Sequence, residues 1–361
     1  MTTSKPLRVA LVGCGAVTKL YYTPALQQLE RLGQVQVAAL FDPNPANVAP
    51  IHQAFPAANP VQDFDQLTRL GLDLAIVASP PQYHASQTIQ LLQAGMSVLC
   101  EKPMALTLAE GEAMVSAAAD TRRLLAIGLV RRFLPAAQTI RTMLSRNIWG
   151  NVKTFSCSEG RVFKWPAQSA SYFQDNGVLR DIGVHVLDLL LWWWGAPEEL
   201  IYEDDAMGGD ELNCRIHLKF PQGFSGEVRL SREFRLPNSY VIRCENGTLN
   251  WDIDETSRLR MGFDESRYAL ESQLHHVKSM ENGLIIPGAM GADFHESFGN
   301  QLGNVIAAVR GAEPLMVTGE AALTSLKAIE TCYSQRRLLE MPWLSASEII
   351  HAQQIKDRQL R

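Results

Sequence analysis

Hydrophobic and polar positions follow two rhythms along the first third of the chain. Aliphatic runs at 8–12, 35–41, 72–78, 97–100 and 124–127 are short and nearly continuous, as strands covered on both faces require. Between them, at 17–31, 46–54, 83–94 and 108–121, apolar residues recur at the spacing of amphipathic helices. Gly33, Asp42-Pro43-Asn44-Pro45, Pro80-Pro81 and Gly95 mark the turns. Strands that alternate with helices predict βαβ units, and so a doubly wound parallel sheet in an α/β domain over residues 1–130.

After a further helix at 135–146 the rhythm changes. Strand-like runs at 152–159, 213–220, 226–232, 240–244 and 248–252 are joined in part by Gly-containing turns such as Pro221-Gln222-Gly223 and Asn246-Gly247, which predicts antiparallel pairing. An apolar helix at 179–194 interrupts them, and helices at 293–310 and 320–339 close the fold. Residues 258–291 match neither pattern. The expectation for 131–361 is an α+β domain built on a large, open, mostly antiparallel sheet. An open sheet of this kind is expected to expose an apolar face. Consecutive helix positions point in different directions, so Trp192, Trp193 and Trp194 are expected to pack between domains or subunits rather than to form one binding box.

Composition narrows the partners. Lys and Arg number 33 against 38 Asp and Glu, a net charge of −5, and 46% of the 361 residues are hydrophobic. No basic face for nucleic acid is indicated. The most apolar stretch, 184–196, contains Asp188 and falls short of the roughly 20 residues of a membrane span, so no membrane segment is expected. The six cysteines are widely separated and show no metal-ligand or disulfide spacing, so no metal site is expected and they read as reduced thiols of a cytoplasmic protein.

Three places could carry chemistry. The first is Gly13-Cys14-Gly15-Ala16-Val17, between a buried strand and a helix. Gly13 suits a tight turn, Gly15 lets a pyrophosphate approach the backbone, and the helix N-terminus presents N–H groups and positive dipole. Thr18 stands where a third glycine would complete the fingerprint. Asp42 ends the second strand, where a carboxylate can accept bonds from both ribose hydroxyls and repel a 2′-phosphate, favouring NAD over NADP.

The second is Glu101-Lys102-Pro103 at a strand end. Pro103 keeps Lys102 extended, and a cation there could stabilise a developing alkoxide, although the tripeptide alone equally suits a solvated turn. The third is Asp181 and His185, four apart and so on one helix face among Leu179, Ile182, Val184 and Val186. An imidazole beside a carboxylate is suited to proton transfer near neutral pH; the same spacing also suits a buried pair that only fastens the helix.

In this order and on this framework, the three elements resemble the Gfo/Idh/MocA family of oxidoreductases, related to glucose-fructose oxidoreductase and inositol dehydrogenase. The likeness adds Ser79-Pro80-Pro81-Gln82-Tyr83-His84 and is strongest at 7–133 and 177–195. It implies a Rossmann domain and hydride transfer between a nicotinamide and a carbon bearing a secondary hydroxyl, on a sugar, cyclitol or sugar derivative. It implies His185 as general base, Lys102 as the group holding the reacting oxygen, and Asp181 as partner of a substrate hydroxyl and of His185. Ser79 and His84 would lie along the cofactor with Gly13, Gly15, Ala16, Val17 and Asp42, and Glu101 near the nicotinamide ribose or amide. Arg132, Trp165 and Tyr172 would stand at the substrate entrance, where the aromatics serve equally as packing residues. The family also implies that the 131–361 domain binds substrate and mediates oligomerisation, as a homodimer or homotetramer. Pro81 departs from the Asn many members carry, which leaves that cofactor contact open. An enzyme using transient oxidation to labilise a glycosidic bond, and an NAD(H)-sensing regulatory protein, remain alternatives; the intact Lys102, Asp181 and His185 argue against the second.

Overall fold

The computed structural model describes residues 5–162, 177–206, 210–256, 258–263, 269–273, 294–341 and 344–359. The chain divides into two compact units, Met1–Phe133 with Ala289–Leu326, and Leu134–Gly288 with Lys327–Arg361.

The first unit carries six strands: β1 (Leu7–Val12), β2 (Val35–Phe41), β3 (Asn59–Pro60), β4 (Leu74–Val77), β5 (Ser97–Cys100) and β6 (Leu125–Ile127). All pair in parallel in the order β3-β2-β1-β4-β5-β6. The helices α1 (Thr23–Arg31), α2 (Pro45–Ala54), α3 (His84–Gln93) and α4 (Leu108–Thr121) supply crossovers. Sequence chemistry sets their starts. Pro45 opens α2 behind the Asn44 cap, and Thr107 and Glu110 form a reciprocal capping box on α4. The expected helix 17–31 is instead a π turn, Thr18–Tyr22, followed by α1: the Thr18 carbonyl accepts both the Thr23 N–H and the Thr23 hydroxyl, the latter at 2.9 Å. β1 and β4 are parallel neighbours at the centre of the sheet, where the strand order reverses direction, which is where ligands of such sheets bind.

The second unit begins with α5 (Pro135–Ser145) and β7 (Val152–Gly160), continues through α6 (Val184–Trp194), preceded by a π turn at Leu179–Gly183, and then runs β8 (Glu199–Asp204), β9 (Asn213–Lys219), β10 (Ser225–Ser231), β11 (Leu236–Cys244), β12 (Gly247–Asp252), β13 (Arg258–Phe263) and β14 (Ala269–Gln273). After α7 (Phe294–Val309) and α8 (Gly319–Ser334) come β15 (Arg337–Leu338) and α9 (Ala346–Gln359). The nine strands lie in the order β14-β13-β12-β11-β7-β10-β9-β8-β15, antiparallel except for the β7·β10 and β8·β15 pairs. The segment that matched neither pattern therefore contributes two strands, β13 and β14.

Helix α7 packs with the first unit. Phe298, Leu302, Val305 and Ile306 join Leu26 and Leu29 of α1 and Leu11, Val37 and Leu40 of the parallel sheet in one buried cluster. In the second unit Phe155, Ile216, Leu218, Val228, Tyr240, Ile242 and Trp251 point inward. The alternate positions correct the expected apolar outer face. They carry Glu203 paired with Arg215 at 2.6 Å, His217 with Glu227 at 3.2 Å, and Arg229 on the same Glu227. Period-two alternation thus puts charged cross-strand neighbours on this face of β8, β9 and β10.

Each residue of the tryptophan triplet has a partner within the second unit. Trp194 packs on Phe155, Phe220 and Phe224, Trp193 donates its ring N–H to the Ala137 carbonyl at 3.1 Å, and Arg141 stacks over Trp192. These contacts join α6 to α5 and to the sheet.

Candidate active site

At the carboxyl end of β1 the backbone turns at Gly13, whose φ of +89° only glycine adopts without strain. A Cβ on Gly13 would lie 2.5 Å from the Ser79 nitrogen, so the turn is pressed against the chain leaving β4. Gly15 is the opposite case. No atom lies within 4 Å of where its Cβ would be, which leaves open space above the turn. Thr18, at the place of a third glycine, is buried and donates its hydroxyl to the Gly13 carbonyl at 2.6 Å, so it closes the turn from beneath. Ala16 and Val17 are exposed on it.

Asp42, at the end of β2, reaches back to this turn. Its Oδ2 accepts the Cys14 N–H at 2.9 Å, its Oδ1 accepts the Asn44 N–H at 2.8 Å, and the Asn47 amide donates to both oxygens at 3.2 Å. Burial, together with this neighbouring carboxylate, pushes the Cys14 thiol up to about 12. An open glycine turn, a half-buried carboxylate at the next strand end and a position at the reversal of a parallel sheet fit a dinucleotide.

Two loops leave β4 and β5 at the same sheet edge. Ser79 donates its hydroxyl to Gln87 at 2.6 Å. His84 is only 1% exposed, with Nδ1 2.8 Å from the Pro103 carbonyl and Nε2 2.8 Å from the Ser79 carbonyl. Both ring nitrogens therefore face main chain, which places the imidazole behind the loops. Burial pulls its pKa below the ordinary value, against the pull of the two carbonyls. Glu101 is also turned inward. Its carboxylate accepts the Tyr22 hydroxyl at 2.6 Å and the Lys102 N–H at 3.1 Å, and Gln301 of α7 donates to the Tyr22 oxygen at 3.2 Å. Burial pushes the Glu101 carboxyl up. The space it fills exists because Gly128 has no side chain: a Cβ there would sit 2.8 Å from Oε1. Lys102 is half-buried on this edge. Arg132 is buried, its guanidinium 3.5 Å from the Met316 carbonyl within the first unit.

In the second unit Asp181 lies in the π turn and His185 in the first turn of α6. Gly183 between them permits the close approach of this helix to β10, since a Cβ would meet Leu179 and Leu230 at 2.7 and 2.9 Å. That approach brings in Arg232, just past β10. Its Nη2 is 2.8 Å from Asp181 Oδ2, and the guanidinium is 5% exposed. Glu211 seats the start of the same helix: its carbonyl accepts the Val178 N–H at 2.9 Å and its Oε1 the Leu179 N–H at 3.0 Å. Neither Arg232 nor Glu211 has a motif of its own. Trp165 and Tyr172 lie outside the described residues, among which no group of acidic, His or Cys side chains is arranged to hold a metal ion.

Residues 7–129 match the GFO/IDH/MocA oxidoreductase family, NAD-binding Rossmann fold, and residues 137–250 match the GFO/IDH/MocA C-terminal domain. The chain belongs to the GFO/IDH/MocA family. Among curated relatives it is 29% identical over 200 residues to D-glucoside 3-dehydrogenase of Escherichia coli, an alignment covering 54% of this chain and 56% of that protein. It is 26% identical over 198 residues to scyllo-inositol 2-dehydrogenase (NADP(+)) of Bacillus subtilis, covering 53% of each. The chain thus spans little more than half the length of these two GFO/IDH/MocA relatives. An inositol dehydrogenase homologue from Azotobacter vinelandii shares the fold, with a TM-score of 0.78 at 17% identity over 92% of this chain and 96% of that one.

Proposed function

We propose that the chain is an NAD-dependent dehydrogenase interconverting a secondary alcohol and a ketone on a sugar, cyclitol or sugar derivative. The observation that carries the reading is the shared sheet edge: β1 with its open glycine turn, β4 with Ser79 and β5 with Lys102 are successive neighbours in one parallel sheet. A half-buried amine one strand beyond a dinucleotide turn suits stabilisation of negative charge on a reacting oxygen. The names of the two curated relatives, acting on a glucoside and an inositol, support the substrate class.

The nicotinamide, when bound, supplies the hydride acceptor or donor. Lys102 holds the substrate oxygen and stabilises it as its proton leaves. His185 receives that proton in oxidation and returns it in reduction, the work of a general base near neutral pH. Asp181, its charge balanced by Arg232, accepts a bond from a substrate hydroxyl and orients His185. Gly13, Gly15 and Asp42 seat the nucleotide, and the carboxylate of Asp42 disfavours a 2′-phosphate, so NAD is preferred over NADP.

The test is turnover with NAD+ or NADP+ against D-glucose, methyl β-D-glucoside, myo-inositol and scyllo-inositol, followed by NADH absorbance. Accumulation of NADH with one of these is expected. His185→Ala and Lys102→Ala should each lower kcat ~10²-fold while the NADH dissociation constant, read by fluorescence, stays within about threefold. Full turnover in either variant would remove that residue from the mechanism.

A further inference from the structure

Lys102 has no rigid element of its own, since it stands past the end of β5, yet the main chain on both sides of it is fixed from the protein interior. On one side its N–H is held by the Glu101 carboxylate, which Tyr22 and then Gln301 hold in turn. On the other, the carbonyl of the next residue, Pro103, faces His84 Nδ1 at 2.8 Å, and the same ring faces the Ser79 carbonyl through Nε2 at 2.8 Å. A neutral imidazole has one N–H and can satisfy one of these carbonyls; two at hydrogen-bond distance engage both nitrogens only if a second proton is present. With the proton on Nδ1 the ring donates to the Pro103 carbonyl and, from its own place at the start of α3, ties the chain after β4 to the loop after β5, from a position 1% exposed.

We infer that His84 is a positioning residue: a strap from the start of α3 to the Pro103 carbonyl that holds Lys102 at the working edge of the sheet, and that affects turnover only through Lys102. The inference rests on the role given above to Lys102. It assigns His84 to the support of the lysine rather than to contact with the nucleotide, and it makes Tyr22 and Glu101 the opposite side of the same clamp. Misplacement of a reacting group by about 1 Å costs on the order of 10²-fold in rate, so loss of one strap out of two should be felt in kcat before it is felt in cofactor binding.

The test is a double-mutant cycle on the full chain, with NAD+ and whichever of the four panel compounds gives the highest kcat/KM. His84→Ala should lower kcat ~10-fold, with the KM for NAD+ and the NADH dissociation constant within about twofold. In the Lys102→Ala background the same change should cost less than twofold, because the group it positions is gone. His84→Gln, whose amide can donate to one of the two carbonyls, should recover part of the loss; it also carries the cycle if the alanine variant fails to fold. An equal loss in both backgrounds, or a change confined to NADH binding, would overturn the strap while leaving Lys102 catalytic. Undiminished kcat in Lys102→Ala alone would instead remove the role of the lysine, and the strap with it.

Discussion

The guanidinium of Arg232 lies 2.8 Å from the carboxylate of Asp181, with 5% and 16% of the two side chains exposed. Each charge is withdrawn from water on the strength of the other. Removing the cation leaves a carboxylate with little solvation, which in such pairs costs about 3–5 kcal/mol. Arg232→Met should therefore lower the urea midpoint of the second unit sharply, and Arg232→Lys, which keeps charge but loses the planar fork, should fall between. Adding Asp181→Leu to Arg232→Met should restore much of the stability, though not activity. If the single Arg232→Met change leaves the midpoint within experimental error, the pair contributes nothing and Asp181 must be solvated by other means.

Asp42 does two jobs that substitution can separate. Its charge is proposed to face the adenosine ribose, and its oxygens hold the Cys14 and Asn44 N–H groups. Asp42→Asn keeps an acceptor and loses the charge, whereas Asp42→Ala loses both. Both variants should shift the ratio of kcat/KM for NAD+ over NADP+ toward NADP+. The alanine variant should in addition lose ~1–2 kcal/mol of stability through the orphaned main-chain groups. Unchanged discrimination in both variants would show that the carboxylate lies away from the ribose.

The first sheet was legible because its strands are continuous aliphatic runs: 35–41 and 97–100 coincide with β2 and β5 residue for residue. The π turn at Thr18–Tyr22 was not, since it depends on bonds to one carbonyl that no periodicity reveals. In the second unit, hairpin reasoning pairs neighbours in sequence and so misses the parallel β7·β10 contact at the middle of the sheet. β13 does alternate, Arg258 and Arg260 with Leu259 and Met261, but over too few residues to stand out in a segment otherwise without pattern. Supporting residues of the site are harder still. Tyr22 meets Glu101 across 79 positions and Gln301 across 279, and nothing local marks such partners. Gly128 and Gly177 were the available hints, glycines whose missing side chains make room for Glu101 and Glu211. The apolar outer sheet face was expected from architecture alone, and the charged residues at alternate positions of β8, β9 and β10 decided otherwise.

All six cysteines are buried in the fold, and burial pushes Cys14 up to about 12 and Cys244 up to about 11. Thiolate is the reactive form, so burial and pKa act in the same direction. Native protein at pH 8 should release less than one equivalent of thionitrobenzoate from DTNB within minutes, and six after denaturation in guanidinium. Rapid release of one equivalent from the native protein would mean that at least one of these sites opens readily, with Cys14 at the glycine turn tested first by protection with NADH.

The seat of the π turn and α6 can be probed through pH. Burial pushes the Glu211 carboxyl up, while the Leu179 N–H and the Tyr333 hydroxyl, donated at 3.0 and 2.8 Å, pull it back. A carboxyl raised on folding is fully compatible with the folded state below its unfolded pKa of about 4.5, and its contribution is lost as pH rises through the folded value. Glutamine keeps an oxygen for both donors and has no charge to bury. The stability of Glu211→Gln relative to the parent should therefore increase from pH 5 to pH 8, with the sign set by the parent losing stability. Gly177→Ala attacks the same seat sterically, since its Cβ would fall 2.0 Å from Glu211 Oε1, and should cost ~1–3 kcal/mol at any pH. A Glu211→Gln difference that shrinks toward alkaline pH would mean that the donors, rather than burial, dominate this carboxylate.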